Sequence, residues 1–266
     1  MPPTDPIENW TPEFWQDWLE GQVPWRRNLA ARQMELALRF MRAGAVEQSL
    51  ILDAGCGYGR IAERMLQQFP GCRVVVIDSS EAMVRAARSR LGEKFAGARS
   101  LLESLPFRDG AFDSVLGIGV IMHVADEEAA LGEMARVLRP GGRLLLSFNS
   151  LLSPFSILGV VNNRLIGRGR RRFVARLPRF YLRRLARSGL EVTRSAAATV
   201  LCVDPAIAPL RKIGVSFLPQ GLLSALSPLD RALSESPLRW FGHEVFLECE
   251  RRGKRGVSLS FDPDLL

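Results

Sequence analysis

The sequence of 266 residues has few of the side chains from which metal centres and disulfide frameworks are built, with two histidines and four cysteines. The cysteines lie at positions 56, 72, 202 and 249, which gives neither the paired spacing of a zinc site nor the dense pattern of a disulfide-stapled fold. We therefore expect no metal and no disulfide. A reducing cytoplasm suits such a chain.

Long hydrophobic runs are also missing. No apolar stretch approaches the ~20 residues that a helix needs to cross a bilayer. The N-terminus opens with prolines and acids and lacks the apolar centre of a signal peptide, so we expect a cytoplasmic protein. Length and ordinary composition predict either one large globular domain or one domain with additions.

Acidic side chains are absent from residues 134–190, which contain thirteen arginines and no lysine. In the rest of the chain 23 basic residues stand against 28 acidic ones, so the formal net charge of +8 comes from this one segment. An ordinary solvated surface mixes both signs. The segment therefore predicts a basic surface for an anionic partner, which could be a membrane, an RNA or an anionic substrate.

Residues 50–60 carry the most informative pattern of the chain. An apolar run ends on an acid, and three glycines follow at alternate positions: Asp53, Gly55, Gly57 and Gly59. A helical pattern follows at 60–69, so this order predicts a buried strand, a tight turn and a helix whose N-terminal amides face a ligand. The dinucleotide fingerprint G-x-G-x-x-G is not met, because Arg60 stands where its third glycine belongs. A glycine-rich turn without a ligand is the alternative.

A second buried strand, at 72–78, ends on Asp78, which lies 19 residues beyond Gly59. A carboxylate at this place can accept hydrogen bonds from both hydroxyls of a ribose. The alternative is that Asp78 caps the next helix, although Ser79 or Ser80 could fill that role. Further strands are predicted at 98–102, 112–118, 143–148, 190–203 and 243–251, with a turn at 139–142.

The glycine pattern D-x-G-x-G-x-G resembles motif I of class I S-adenosylmethionine (SAM)-dependent methyltransferases. Four later passages resemble the same family in order and spacing: V-I-D-S-S-E-A-M at 76–83, L-P-F-R-D at 105–109, V-I-M-H-V-A-D at 120–126 and L-R-P-G-G-R-L-L-L at 138–146. The resemblance covers about residues 50–150. It implies an α/β, Rossmann-like fold with a seven-stranded, mostly parallel sheet, an antiparallel last strand, helices on both faces and a helical cover.

The resemblance also implies a SAM site. The turn would wrap the methionine part of SAM, and an acid at the position of Asp53 would hold its amino group, often through water. The other implied cofactor-binding residues are Gly55, Cys56, Gly57, Gly59, Asp78, Ser79, Met83, Leu102, Glu103 and Ile118. Met83 would lie near the adenine. The acid that usually contacts the adenine amino group falls at Leu101, so Glu103, or the backbone of Leu102 and Glu103, would replace it.

His123 is the one candidate catalytic residue. Its loop resembles the family passage V-L-H-H-V-x-D, with Met122 in place of the first histidine. As a base, His123 would deprotonate an acceptor hydroxyl, because the unperturbed pKa of histidine suits proton transfer near neutrality. The alternative is that it packs beneath the loop and orders it.

The pattern predicts four regions. They are an N-terminal helical cap at 1–45, a SAM-binding core at 46–150, a C-terminal part of the fold at 151–251 and a tail at 252–266; the C-terminal part includes an arginine-rich cover at about 151–180 and a helical insertion at about 204–242. The cap holds four of the five tryptophans. It is interpreted as a helix packed on the domain, as a lid over cofactor and acceptor, or as an interfacial anchor.

We expect methyl transfer from SAM to a small-molecule or lipid-like acceptor, as in quinone, lipid and natural-product pathways. The alternatives are an RNA methyltransferase and a SAM-binding protein without transferase activity. The arginines predict peripheral contact with the anionic inner face of a membrane. This partner is favoured over nucleic acid, because the sequence shows no appended RNA-binding module. The methylated atom and the number of subunits are not indicated.

Overall fold

The computed structural model describes residues 11–20, 24–44, 48–166, 174–201 and 220–253. Several predictions fall on other residues and lie outside these ranges. They are the two ends of the chain at 1–9 and 254–266, the arginines at 168 and 170–172, and the first part of the insertion at 204–219.

Seven strands form one sheet in the order β3-β2-β1-β4-β5-β7-β6. The strands are β1 (Leu50–Ala54), β2 (Arg73–Asp78), β3 (Gly97–Arg99), β4 (Phe112–Gly117), β5 (Leu138–Asn149), β6 (Leu190–Ala197) and β7 (Glu244–Arg251). The first five strands are parallel, and β7 runs antiparallel to both of its neighbours. The predicted seven-stranded, mostly parallel α/β sheet with an antiparallel last strand is confirmed.

Helices cover both faces of the sheet. They are α1 (Pro12–Glu20), α2 (Pro24–Arg42), α3 (Arg60–Gln68), α4 (Glu81–Leu91), α5 (Glu127–Val137), α6 (Pro154–Ile166), α7 (Pro178–Arg187) and α8 (Gln220–Glu235). Successive strand residues point to opposite faces. Ile51 therefore belongs to the core cluster that contains apolar residues of α2, α3 and α4, whereas Leu52 belongs to the cluster that contains residues of α5 and α7.

Three strand boundaries differ from the prediction. β3 covers Gly97–Arg99 rather than 98–102, and Leu101 is exposed beyond its end. The predicted turn at 139–142 lies inside β5, where the pairing with β4 shifts register between Phe112 and Ser114. β6 ends at Ala197 rather than 203 because β7, its neighbour among the described strands, begins at Glu244, and Ala197 pairs with the next residue, Val245.

The antiparallel direction of β7 decides which residues meet at the functional edge. The carboxyl ends of parallel strands lie at one edge, where ligands of open α/β sheets bind. β7 runs the other way, so its first residue reaches that same edge, and Glu244 pairs with Asn149 at the end of β5. Asp53, Asp78 and Glu244 therefore all lie along this edge.

Two kinds of feature are not found in the described ranges. Across them, no helix is both long and apolar enough to cross a bilayer. The same residues contain no group of three or more histidine, cysteine, aspartate or glutamate side chains arranged to hold a metal ion.

Candidate functional site

The turn between β1 and α3 has the backbone geometry that its glycines predict. Gly55, Gly57 and Gly59 have φ values of 79°, 54° and 82°, in the left-handed region that other residues avoid. The amides of Gly55 and Cys56 donate to the carbonyl of Ile77 over 2.8 and 2.9 Å, which ties the turn to β2. A Cβ atom added at Gly57 would meet nothing within 4 Å, so the backbone there borders open space that a ligand can enter.

Asp78 is bound to the same turn, which sequence reasoning did not anticipate. Its Oδ2 accepts the Gly57 amide over 2.9 Å, and its Oδ1 accepts the Ser80 amide over 2.9 Å. The cap of α4 is Ser80, whose Oγ accepts the amide of Met83. Burial raises the pKa of Asp78 despite these bonds. Each carboxylate oxygen keeps a second lone pair, so Asp78 can still accept bonds from ribose hydroxyls.

Asp53 is a buried carboxylate with an unmet acceptor. Among the described residues, its Oδ2 has no hydrogen-bond partner. Burial raises the pKa of Asp53 to about 7; the Arg60 guanidinium opposes this shift and the Asp78 carboxylate adds to it. Buried polar atoms in folded proteins are almost always satisfied, so an orphaned oxygen indicates a missing partner. A cationic amino group fits this position, because it would supply both a donor and a compensating charge.

The residues implied for the adenine side of the site agree with the expectation only in part. Met83 and Leu102 are buried, and the backbone carbonyl of Ser79 accepts the Arg99 Nε over 2.9 Å. The carboxylate of Glu103 is engaged elsewhere, because its Oε1 accepts the Ala125 amide over 2.9 Å. An adenine contact through Glu103 therefore stays a prediction, with the backbone of Leu102 and Glu103 as the alternative.

The loop after β4 begins with Ile118, which is buried, and Gly119, whose φ is 68°. A short 3-10 helix, Ile121–His123, follows. The interpretation that His123 packs beneath this loop is wrong, because its side chain is exposed and its ring meets that of Trp15 edge to face. The role of His123 as a base stays a prediction.

A buried polar network crosses the same edge and was missed from the sequence. The Arg60 guanidinium donates to Gln33 Oε1, and Gln33 Nε2 donates to Glu244 Oε2, both over 2.8 Å. Ser147 Oγ donates to Glu244 Oε1 over 2.6 Å and accepts the Gly119 amide over 2.7 Å. Glu244 is fully enclosed, and burial raises its pKa. The one sequence signal was an acid that stands directly before the apolar run Val245–Leu247.

Comparison with known proteins relates residues 52–146 to a known family. Residues 52–146 match the family described as "Methyltransferase domain". A ubiquinone/menaquinone biosynthesis C-methyltransferase of Methylobacterium nodulans is 42% identical over 100 residues, covering 36% of this chain and 40% of that protein. A demethylmenaquinone methyltransferase of Thermus thermophilus is 39% identical over 131 residues, covering 47% of this chain and 54% of that protein. The chain thus spans about half or less of these relatives.

Solved structures extend the likeness to most of the chain. Magnesium protoporphyrin IX methyltransferase from Synechocystis, solved with bound S-adenosylhomocysteine, superimposes with a TM-score of 0.59 at 17% identity, covering 90% of this chain and 92% of that one. The [4+2]-cyclase SpnF superimposes with a TM-score of 0.53 at 19% identity, covering 82% of this chain and 80% of that one. These likenesses show the fold, and the second shows that the fold alone does not fix the reaction. The glycine turn and the matches over 52–146 identify these residues as a class I SAM-dependent methyltransferase domain, and the superpositions show its fold.

Proposed function

We propose that this protein transfers a methyl group from SAM to a small-molecule or lipid-like acceptor. The observation that carries the proposal is the orphaned Oδ2 of Asp53 beside a glycine turn that borders open space. Residues 55–59 would hold the methionine part, Asp53 its amino group and Asp78 the ribose. The adenine would lie near Met83 and Leu102. When bound, SAM supplies an electrophilic methyl group on a sulfonium centre.

In such a reaction the protein aligns the reactants and excludes water. A direct displacement needs the acceptor atom, the methyl carbon and the sulfur in line, and holding reactants in this geometry lowers the barrier substantially. Trp15 and His123 stand together at the edge where the methyl group would lie. A base is required only for an acceptor that must lose a proton, and His123 is the residue that we propose for that step.

The names of the relatives support the acceptor class. Beside the two quinone-pathway enzymes, the similar proteins include a malonyl-[acyl-carrier protein] O-methyltransferase of Geobacter sulfurreducens and a sterol 24-C-methyltransferase of Kluyveromyces lactis. The sterol name describes a lipid-like acceptor, and the malonyl name describes a small acyl group on a carrier protein. RNA methylation and SAM binding without transfer remain the two alternatives.

The decisive experiment is methyl transfer from labelled SAM into cell extract, followed by separation into lipid, small-molecule and RNA fractions. We expect label in the lipid or small-molecule fraction with the intact protein and none with Asp53→Ala. Label in the RNA fraction would favour the RNA alternative. SAM binding by calorimetry without transfer into any fraction would favour a binding protein.

We further infer that the protein contacts an anionic membrane peripherally. The outer face of α6 exposes three aliphatic side chains, Ile157, Leu158 and Val161. α7 exposes Arg179, Arg183 and Arg187, spaced four residues apart on one face, and they form no hydrogen bond or ion pair with the described part of the chain. Aliphatic side chains suit the acyl boundary and arginines suit lipid phosphates, whereas RNA offers no partner for the aliphatic face.

Liposome flotation tests this contact. The protein should float with vesicles that contain phosphatidylglycerol and should be released by salt, because each basic residue near the surface contributes ~1 kcal/mol at most. Arg179→Gln/Arg183→Gln/Arg187→Gln should weaken flotation and leave SAM binding intact. Arg64→Gln/Arg85→Gln, on helices that precede the arginine-rich segment, is the control. Failure of the intact protein to float at low salt would contradict the inference, and an RNA shift in the same buffer would favour RNA.

A further inference from the structure

The polar network at the carboxyl edge joins segments that stand far apart in the sequence. Gln33 and Glu244 are separated by 211 positions, and Ser147 and Glu244 by 97. Both oxygens of the Glu244 carboxylate accept a hydrogen bond, so the carboxylate is satisfied without any contribution from a ligand. A buried network of this kind fixes one arrangement of the groups that it joins.

The group at the end of this network is the peptide between Ile118 and Gly119. Its N–H points at Ser147 Oγ. A trans peptide is planar, and its C=O points opposite to its N–H, so the carbonyl of Ile118 must point away from Ser147. Ser147 is on β5, and β4 lies between β5 and β1. The Ile118 carbonyl therefore points toward the β1 side, where Asp53 lies with its unmet oxygen.

We propose that Glu244 is a positioning residue that acts through Ser147, with Gln33 holding its second oxygen, to aim the Ile118 carbonyl at the amino group of the bound cofactor. The inference rests on the proposed function, because it assigns a second acceptor for an amino group that Asp53 already attracts. The Asp53 carboxylate would supply the negative charge, and the Ile118 carbonyl would fix the direction of one hydrogen bond from the amino group. An ammonium group has three donors, so it can satisfy both.

The network allows a test that conserves every hydrogen bond. In Glu244→Gln the side chain at position 244 has only one carbonyl oxygen. Ser147 Oγ and Gln33 Nε2, which donate to different oxygens of Glu244 in the intact protein, then compete for it. In Gln33→Glu/Glu244→Gln the carboxylate moves to position 33, where it accepts from Arg60 and from the new amide, while Ser147 donates to the amide carbonyl. Composition and net charge are the same as in the intact protein, so a restored property must come from the restored bonds.

The affinities of two ligands distinguish a positioning role of Glu244 from a general effect on stability. S-adenosylhomocysteine carries the amino group, and 5′-methylthioadenosine keeps the nucleoside but lacks the amino-acid part. Glu244→Gln should weaken S-adenosylhomocysteine about tenfold, as expected for a lost bond to a charged group, and change the affinity of 5′-methylthioadenosine less than about twofold. The double variant Gln33→Glu/Glu244→Gln should restore the affinity for S-adenosylhomocysteine. Ser147→Ala should reproduce the selective loss, and Glu250→Gln, exposed on the same strand, should change neither.

The results that overturn the inference are distinct from those that overturn the function. If Glu244→Gln or Ser147→Ala lowers the affinity for both ligands equally, the network has only a structural role and the inference is overturned. A folded double variant without restored affinity would also overturn it. An intact protein that binds neither ligand would overturn the proposed function, and the inference with it.

Discussion

The rings of Trp15 and His123 meet edge to face, with centroids 6.0 Å apart and planes at 73°. Trp15 belongs to α1, which packs against α2 and also contacts α4. α1 therefore reaches from the N-terminal helices across to the loop after β4 and stands over the carboxyl edge. This placement supports the interpretation of the N-terminal helix as a lid, which is a structural element that excludes water from a reacting methyl group.

Trp15→Ala should open this lid. We expect SAM to dissociate faster and methyl transfer to fall more than SAM affinity, because the lid acts on alignment and on water exclusion. Trp15→Phe keeps an aromatic ring against His123 and should retain most of the activity. Stopped-flow release and steady-state turnover measure the two effects. If Trp15→Ala and Trp15→Phe show the same SAM release and the same turnover, the aromatic contact with His123 does not hold the lid closed.

His123→Ala tests the proposed role of this residue as a base. If His123 removes a proton from the acceptor, kcat should fall about 10²-fold or more while SAM affinity stays the same. Since its side chain is exposed, we expect little change in the melting temperature. Turnover near that of the intact protein would remove His123 from the list of catalytic residues.

The pKa of Asp53 makes the stability of the free protein depend on pH. The unfolded chain loses this proton near pH 3.9, whereas burial keeps it bound up to a pKa of about 7 in the folded protein. The stabilising contribution of the protonated form is therefore complete below about pH 4 and is lost as pH rises through about 7, by at most about 4 kcal/mol. Urea unfolding between pH 4 and 8 should show this decline. Asp53→Asn should flatten it and weaken SAM binding.

Cofactor binding should in turn depend on the same proton. The amino group of SAM favours the ionised form of Asp53, so binding should release a proton when the pH lies below the pKa of about 7. Calorimetry at pH 6 in buffers of different ionisation enthalpy measures this release. Asp53→Asn is the control and should release none from this site. A buffer-independent enthalpy in the intact protein would contradict the predicted pKa of this carboxyl.

Asp78 should prove to have two roles. Asp78→Ala should weaken SAM by about 1.5–3 kcal/mol through lost bonds to the ribose. It should also lower the melting temperature, because the Gly57 and Ser80 amides lose their acceptor. Asp78→Asn keeps one oxygen and should recover part of the stability but not the affinity. Unchanged SAM affinity in folded Asp78→Ala would count against the ribose assignment.

The sequence was most informative where short-range signals coincide with the fold. Asp53 and Asp78 each end an apolar run at a turn, and both stand at the predicted edge of the sheet. Gln33 and Glu244 gave no such signal, because their contact joins residues 211 positions apart and depends on the tertiary fold. The end of β6 was missed for a similar reason, since the start of β7 sets it.

β7 lies between β5 and β6 although it follows both in the sequence, so the last of the described strands to be synthesised enters the interior of the sheet. A ribosome that has reached residue 149 has produced β5 with one side unpaired and without Glu244 beside Ser147. Unpaired strand edges are prone to aggregation during folding. The nascent protein therefore cannot form the bond between Glu244 and Ser147 before residue 244 leaves the exit tunnel, and a fragment that ends at residue 149 would lack the strand that pairs with β5 on that side.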